Sequence, residues 1–264
     1  MELSWRILVS NDDGYLSPGL YLLAGSVADL GEVLIVSTES PRSATGREIT
    51  FSKPLRFVRK GWEGWDVYVT DGTPVDGLHL AMEVLGFKPD VVLSGVNVGD
   101  NLSLQHIFYS GTVALAIEAA LMGIPAVAFS SGSESFEGFS NVRFRGVASQ
   151  VIRALTEYVL VYGLPQGVDV LSVNIPMNYS NCVDVVKAAR LRWRATYVKG
   201  VDPRGHDYYW LKVVRSSLEE DSDVKRFEEG CVTITPLNIN LNVGSEKYVE
   251  LQTLKEFVEG RMRL

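Results

Sequence analysis

Asp12 and Asp13 stand side by side at the end of an apolar run, Ile7-Leu8-Val9, and are followed by Gly14. Adjacent carboxylates repel unless a cation or a shared proton lies between them. A divalent-metal site is therefore the first chemistry this pattern suggests, with an Asp-Gly turn ahead of a helix as the competing reading. Two later stretches, Pro41-Arg42-Ser43-Ala44-Thr45-Gly46 and Ser94-Gly95-Val96-Asn97-Val98-Gly99-Asp100-Asn101, carry further oxygen donors among glycines. Asp12, Asp13, Ser43 and Asn97 together form an all-oxygen set, which suits Mg²⁺, Mn²⁺ or Ca²⁺ and argues against zinc. Ser110-Gly111-Thr112 then opens a small-residue helix. A helix start offers unpaired N–H groups and the positive end of the macrodipole, so it attracts anions. A dication beside a helix start describes a phosphate pocket.

Positioning such a site requires strands that end on one edge of a sheet, and the chain reads that way. Arg6–Ser10, Glu32–Ser37, Asp90–Ser94, Ala126–Ser130 and Val168–Asn174 are continuous apolar runs, the mark of strands buried on both faces. Helical spacing separates them at Pro18–Leu30, from Thr73-Pro74-Val75-Asp76 to Leu85, at Thr112–Met122 and at Val142–Val161. Trp65–Thr70 reads as a further strand, with short ones around Glu48–Phe51 and Leu55–Val58. Alternating strands and helices predict a Rossmann-like, doubly wound, mostly parallel α/β sheet over residues 1–176. Residues 177–264 read as an appended β-rich extension. It holds strands near Val183–Ala188 and Tyr208–Val214 around a polar Asp202-Pro203-Arg204-Gly205 loop, a helix at Asp223–Glu229 and a strand at Cys231–Pro236. A final helix at Tyr248–Arg261 completes a hairpin-and-helix extension of the kind that covers sites or joins subunits.

Composition narrows the class. The 264 residues are 46% hydrophobic with a net charge of −7, which disfavours a nucleic-acid polymer or an anionic membrane as the main partner. No apolar stretch approaches a membrane span, and the first residues do not read as a signal peptide, so a cytoplasmic protein is expected. Cys182 and Cys231 are too few and too unpatterned to predict a disulfide framework or a zinc site.

Asn11-Asp12-Asp13-Gly14, Arg42-Ser43-Ala44-Thr45-Gly46, Gly72-Thr73-Pro74, Ser94-Gly95-Val96-Asn97 and Tyr109-Ser110-Gly111-Thr112-Val113 occur in that order. Together they resemble the SurE (survival protein E) family of 5′-nucleotidases, over at least residues 6–130. The resemblance implies a metal-dependent phosphatase acting on nucleoside 5′-monophosphates. By position, the family's metal ligands fall on Asp12, Asp13, Ser43 and Asn97, holding one Mg²⁺ or Mn²⁺ per subunit. It also implies homodimers or homotetramers joined through C-terminal elements. The segment Leu102–Phe108 departs from the family's glycine-rich, acid-bearing loop.

The mechanism expected from this inventory is attack by a metal-activated water, with Asp12 and Asp13 as the catalytic carboxylates; direct attack by one of them on phosphorus, giving an aspartyl-phosphate, is the alternative. Asn11, Asn97, Ser110, Gly111 and Thr112 would hold the phosphate. His79, His106 and His206 are available as proton donors; His106 is the best placed, and none is assigned. The rival reading is a metal-dependent nucleotide-binding or nucleotide-sugar transferase domain. A dinucleotide-dependent oxidoreductase ranks lower, because Asn-Asp-Asp-Gly stands where Gly-x-Gly-x-x-Gly is needed.

Overall fold

The computed structural model describes residues 5–216, 219–244, 247–248 and 251–262. The chain opens with strand β1 (Trp5–Ser10), helix α1 (Pro18–Val27) and strand β2 (Gly31–Thr38). The pair β3 (Phe57–Trp62) and β4 (Trp65–Thr70) follows, then α2 (Pro74–Glu83) and β5 (Val91–Asn97). Two successive helices, α3 (Ser103–Tyr109) and α4 (Gly111–Leu121), lead to β6 (Ala126–Ser131), and α5 (Val142–Tyr162) leads to β7 (Val170–Ile175). Beyond it lie β8 (Cys182–Val185), the arms β9 (Trp193–Val201) and β10 (Asp207–Arg215), α6 (Asp223–Glu228), β11 (Cys231–Leu237) and α7 (Gln252–Glu259).

Nine strands form one sheet in the order β3-β4-β2-β1-β5-β6-β7-β11-β8. Only β3–β4 and β11–β7 are antiparallel, so the expected mostly parallel Rossmann-like architecture holds. Side chains alternate across the sheet. Ile7, Val9, Leu93, Phe129 and Val173 pack with α1 and α5 on one face, while Leu8, Val92 and Ala128 pack with α2 and α4 on the other. With both faces covered, the strands must be apolar throughout, which is why they read as unbroken runs. The chain builds outward from β1 through β2 and β4, then returns to lay β5 against the other side of β1. That reversal opens a crevice at the carboxyl ends of β1 and β5, where open α/β sheets bind ligands.

Helix α2 starts as its sequence signals demand. Thr73 Oγ1 accepts from Asp76 N at 3.2 Å, and Asp76 Oδ2 accepts from Thr73 N at 2.8 Å, a closed capping box with Pro74 at the first helical position.

Several expectations need correction. No strand forms at Glu48–Phe51: Thr50 spends its N–H (3.1 Å) and hydroxyl (2.6 Å) on Asp76, so the segment is tied to a side chain and not to a ladder. Near Val183–Ala188 the strand is shorter and pairs with β11 inside the large sheet. The hairpin partner of β10 is β9, antiparallel along its whole length. The two cysteines do bond: β8 and β11 run in register with Cys182 opposite Cys231, and their Cα atoms lie 4.4 Å apart. The final helix is Gln252–Glu259, shorter than expected, and Val249 and Glu250 of the expected span lie outside the described residues. Among the described residues, no helix is long and apolar enough to cross a membrane.

Candidate active site

The carboxyl end of β1 delivers Asn11, Asp12 and Asp13, and Gly14 turns the chain away with φ +89°, a left-handed value that disfavours any side chain. Asp12 is 4% exposed. Its Oδ1 accepts from the Thr112 hydroxyl at the start of α4. Burial pushes the Asp12 carboxyl up, while Thr112 Oγ1 and the backbone N–H groups of Thr112 and Gly111 pull the other way. The positive end of α4 thus faces an anion supplied by the protein itself. Gly111 is required for this approach, since a Cβ there would stand 2.7 Å from Asp12 Oδ2.

Asp13 Oδ2 accepts from Val98 N at 2.9 Å, across from the end of β5. Burial, and then the neighbouring Asp12 charge, push the Asp13 carboxyl up to about 7. Asn97 gives its amide hydrogens to two backbone carbonyls, Val98 O (3.1 Å) and Gly99 O (2.8 Å). That orients its Oδ1 toward Thr112 Oγ1, at 3.3 Å. Asn97 O in turn accepts from Ser131 Oγ at 2.7 Å, which fixes the residue from β6.

Ser43 reaches the same place from the loop after β2. A cleft of about 240 Å³ is lined by Asp12, Ser43, Asn97 and Ser110 on its polar side, with Tyr109 and Trp193 among its other walls. The loop is moored by Arg42 N to Asp12 O (2.8 Å) and by Gly46 N to Tyr109 O (3.0 Å). Among the described residues, no three His, Cys, Asp or Glu side chains cluster here. A cation held here would meet two carboxylates plus a serine and an asparagine oxygen. Two mutually repelling carboxylates, one of them nearly sealed from water, with an amide oxygen on the same Thr112 hydroxyl that serves Asp12, suit a hard divalent cation.

Three of the expected phosphate contacts have other partners. Asn11 is fully buried. Its Nδ2 donates to Gly14 O (3.1 Å) and its Oδ1 accepts from Ser37 Oγ (2.6 Å), so it braces the turn and does not line the cleft. Thr112 is also fully buried, and its hydroxyl serves Asp12. Gly111 packs its backbone against the same carboxylate. Ser110 differs: its Oγ accepts from Val113 N (3.1 Å) and lines the cleft, leaving its hydroxyl proton for a ligand.

His106 and Trp193 are a further pair at the cleft. Trp193 Nε1–H donates to His106 Nε2 at 2.8 Å, which puts the ring proton on Nδ1, facing Asp100 Oδ1 at 3.1 Å. Sequence reasoning gave Trp193 no role, because it sits in a stretch with no periodicity and meets α3 across 87 residues of chain. His79 lies elsewhere, paired with Glu118 at 3.0 Å, and His206 lies in the exposed turn of the β9–β10 hairpin.

Comparison with known proteins is consistent across three levels. The family model described as Survival protein SurE matches residues 7–197. A 5′-nucleotidase SurE of Pyrobaculum arsenaticum is 43% identical, the match covering 96% of this chain and 97% of that one. A 5′-nucleotidase SurE of Thermofilum pendens is also 43% identical, over 89% of this chain and 91% of the other. Among solved structures, the SurE protein from Aquifex aeolicus superposes with a TM-score of 0.78 at 32% identity, covering 96% of this chain and 99% of that chain.

Proposed function

The chain belongs to the SurE family, and from that membership we propose that it is a 5′-nucleotidase, hydrolysing nucleoside 5′-monophosphates to nucleoside and inorganic phosphate. The observation that carries the reading is Asp12 bonded to Thr112 at the start of α4, with Asp13 beside it on Val98 N and Asn97 Oδ1 3.3 Å from the same Thr112 hydroxyl, all at the β1–β5 crevice. Asp12, Asp13, Asn97 and Ser43 would hold one Mg²⁺ or Mn²⁺. When bound, the ion would supply positive charge against the phosphate and make a nearby water acidic enough to attack.

The remaining groups work by position, which is the main demand of phosphoryl transfer. Thr112 and the amides of Gly111 and Thr112 hold Asp12 still, and Val98 N does the same for Asp13. Ser110 presents its hydroxyl proton to a phosphoryl oxygen while α4 contributes its dipole. The leaving atom is the 5′-oxygen of the nucleoside, which departs toward the Tyr109 and Trp193 end of the cleft.

The exposed ribbon β9–β10, with Tyr209 60% and Trp210 71% exposed, supports a homodimer or homotetramer built through residues 177–264. Light scattering behind a sizing column checks that. For the activity, phosphate release is measured across nucleoside 5′-monophosphates with Mg²⁺ or Mn²⁺ and with excess EDTA. Release that needs the ion is the expected result. Turnover unaffected by EDTA would remove the metal from the reading, and no release from any monophosphate would remove the reading itself.

A further inference from the structure

We infer that Trp193 and Tyr109 form the wall on which the nucleobase of the substrate stacks, and that His106 is the residue that positions Trp193; this rests on the nucleotidase reading above. Both rings line the cleft that contains Asp12. Their centroids are 6.2 Å apart and their planes are inclined by 34°. Tyr109 is 47% exposed, so aromatic surface stands open to water beside a polar pocket. A flat, π-faced ligand removes that surface from water, and every nucleobase offers such a face.

Trp193 is held before any ligand arrives. Gln105 Oε1 accepts from the backbone N–H groups of both Arg192 and Trp193, each at 3.1 Å. The indole N–H is taken by His106 Nε2, and the opposite ring nitrogen of His106 faces Asp100. Asp100 Oδ2 also meets Arg192 Nη2 at 3.4 Å, and Arg192 Nη1 reaches Glu228 Oε1 at 2.9 Å. The indole plane is thereby set by both its main chain and its ring nitrogen, which lowers the ordering cost of binding.

The supports share one element with the phosphate end. Gln105, His106 and Tyr109 lie on α3, and the next residue, Ser110, caps α4 beside Asp12. One continuous segment therefore spaces the base wall from the phosphate site. A ribose lies between these two ends in a nucleoside 5′-monophosphate.

The test compares kcat/KM for a nucleoside 5′-monophosphate with kcat/KM for ribose 5-phosphate, which has the same phosphoester and no base. Wild type is expected to prefer the nucleotide. Trp193→Ala should shrink that ratio by about 5- to 150-fold, the span of aromatic–base stacking, and should do so through KM. Tyr109→Leu should move the ratio the same way and keeps the test alive should Trp193→Ala fail to fold. His106→Ala should repeat the loss seen in Trp193→Ala. His106→Gln should restore the ratio, because its amide can accept from the indole and donate to Asp100. A wild-type ratio near one, or a ratio unmoved in both Trp193→Ala and Tyr109→Leu, overturns the inference while leaving the phosphatase intact. No phosphate release from either substrate overturns the nucleotidase reading and this inference with it.

Discussion

The two β-regions of this molecule obey opposite rules. In the centre of the large sheet, β1 and β5 are covered on both faces, and β5 is buried along its whole length. The β9–β10 ribbon is exposed along nearly all its residues, with apolar and aromatic side chains in water. The first region gets its stability from burial and uses it to fix carboxylates. The second holds to the rest of the chain mainly at its root, through Gln105, His106 and Glu228. The lesson is that a rigid core can position charge, whereas specificity can be placed where an exposed element meets that core.

The largest effect should come from the buried side. Asp12→Asn is expected to lower phosphate release by at least about a thousandfold, in the range for loss of a central charge-stabilising group, with the circular dichroism spectrum unchanged. Retained turnover would break the assignment of chemistry to this region. Gly111→Ala should follow at roughly a hundredfold, because its Cβ would intrude to 2.7 Å of the Asp12 carboxylate. Steady-state kinetics with fixed metal read both.

Stability sharpens the comparison. Phe129→Ala, at a fully buried site on β6, should cost about 3–5 kcal/mol in denaturant unfolding. Trp210→Ser on the ribbon should stay within about 0.5 kcal/mol for the single chain. Reducing the Cys182–Cys231 bond, which joins positions 49 residues apart, should fall between the two at about 2–4 kcal/mol, read as a drop in denaturation midpoint with reductant.

A pH slope is also expected in the metal-free protein. The Asp13 carboxyl is pushed from 3.8 to about 7 on folding. Between those values the unfolded chain has lost the proton and the folded one keeps it. Stability therefore falls as pH rises from about 4 to about 7 and levels off above. Asp13→Asn should flatten that slope in thermal melts run in EDTA. An identical slope in the variant would assign it to other groups.

What the sequence disclosed follows the same division. The covered strands were legible because continuous apolar runs such as Ile7-Leu8-Val9 have few other uses, and the capping box at Thr73–Asp76 is a local signal. Helix α3 was not legible. It has a leucine at its N-cap with no side-chain cap, and the group that satisfies Ser103 N is Asp223 Oδ2, 2.7 Å away and 120 residues later. The arm β9 carries no alternation because neither of its faces is buried. At the site, residue types showed which groups would gather but not where each one points. Asn11 and Thr112 have the right chemistry for phosphate, yet the turn and Asp12 claim them first.

The bond between the Trp193 indole and His106 has one further consequence. With Nε2 capped by the indole and Nδ1 turned to Asp100, the imidazole bordering the cleft has no nitrogen lone pair to offer. Ions that favour imidazole, such as nickel or copper, therefore find no purchase there beyond what oxygen gives them. In this way a ring on the exposed ribbon's root withholds nitrogen ligation from the cleft.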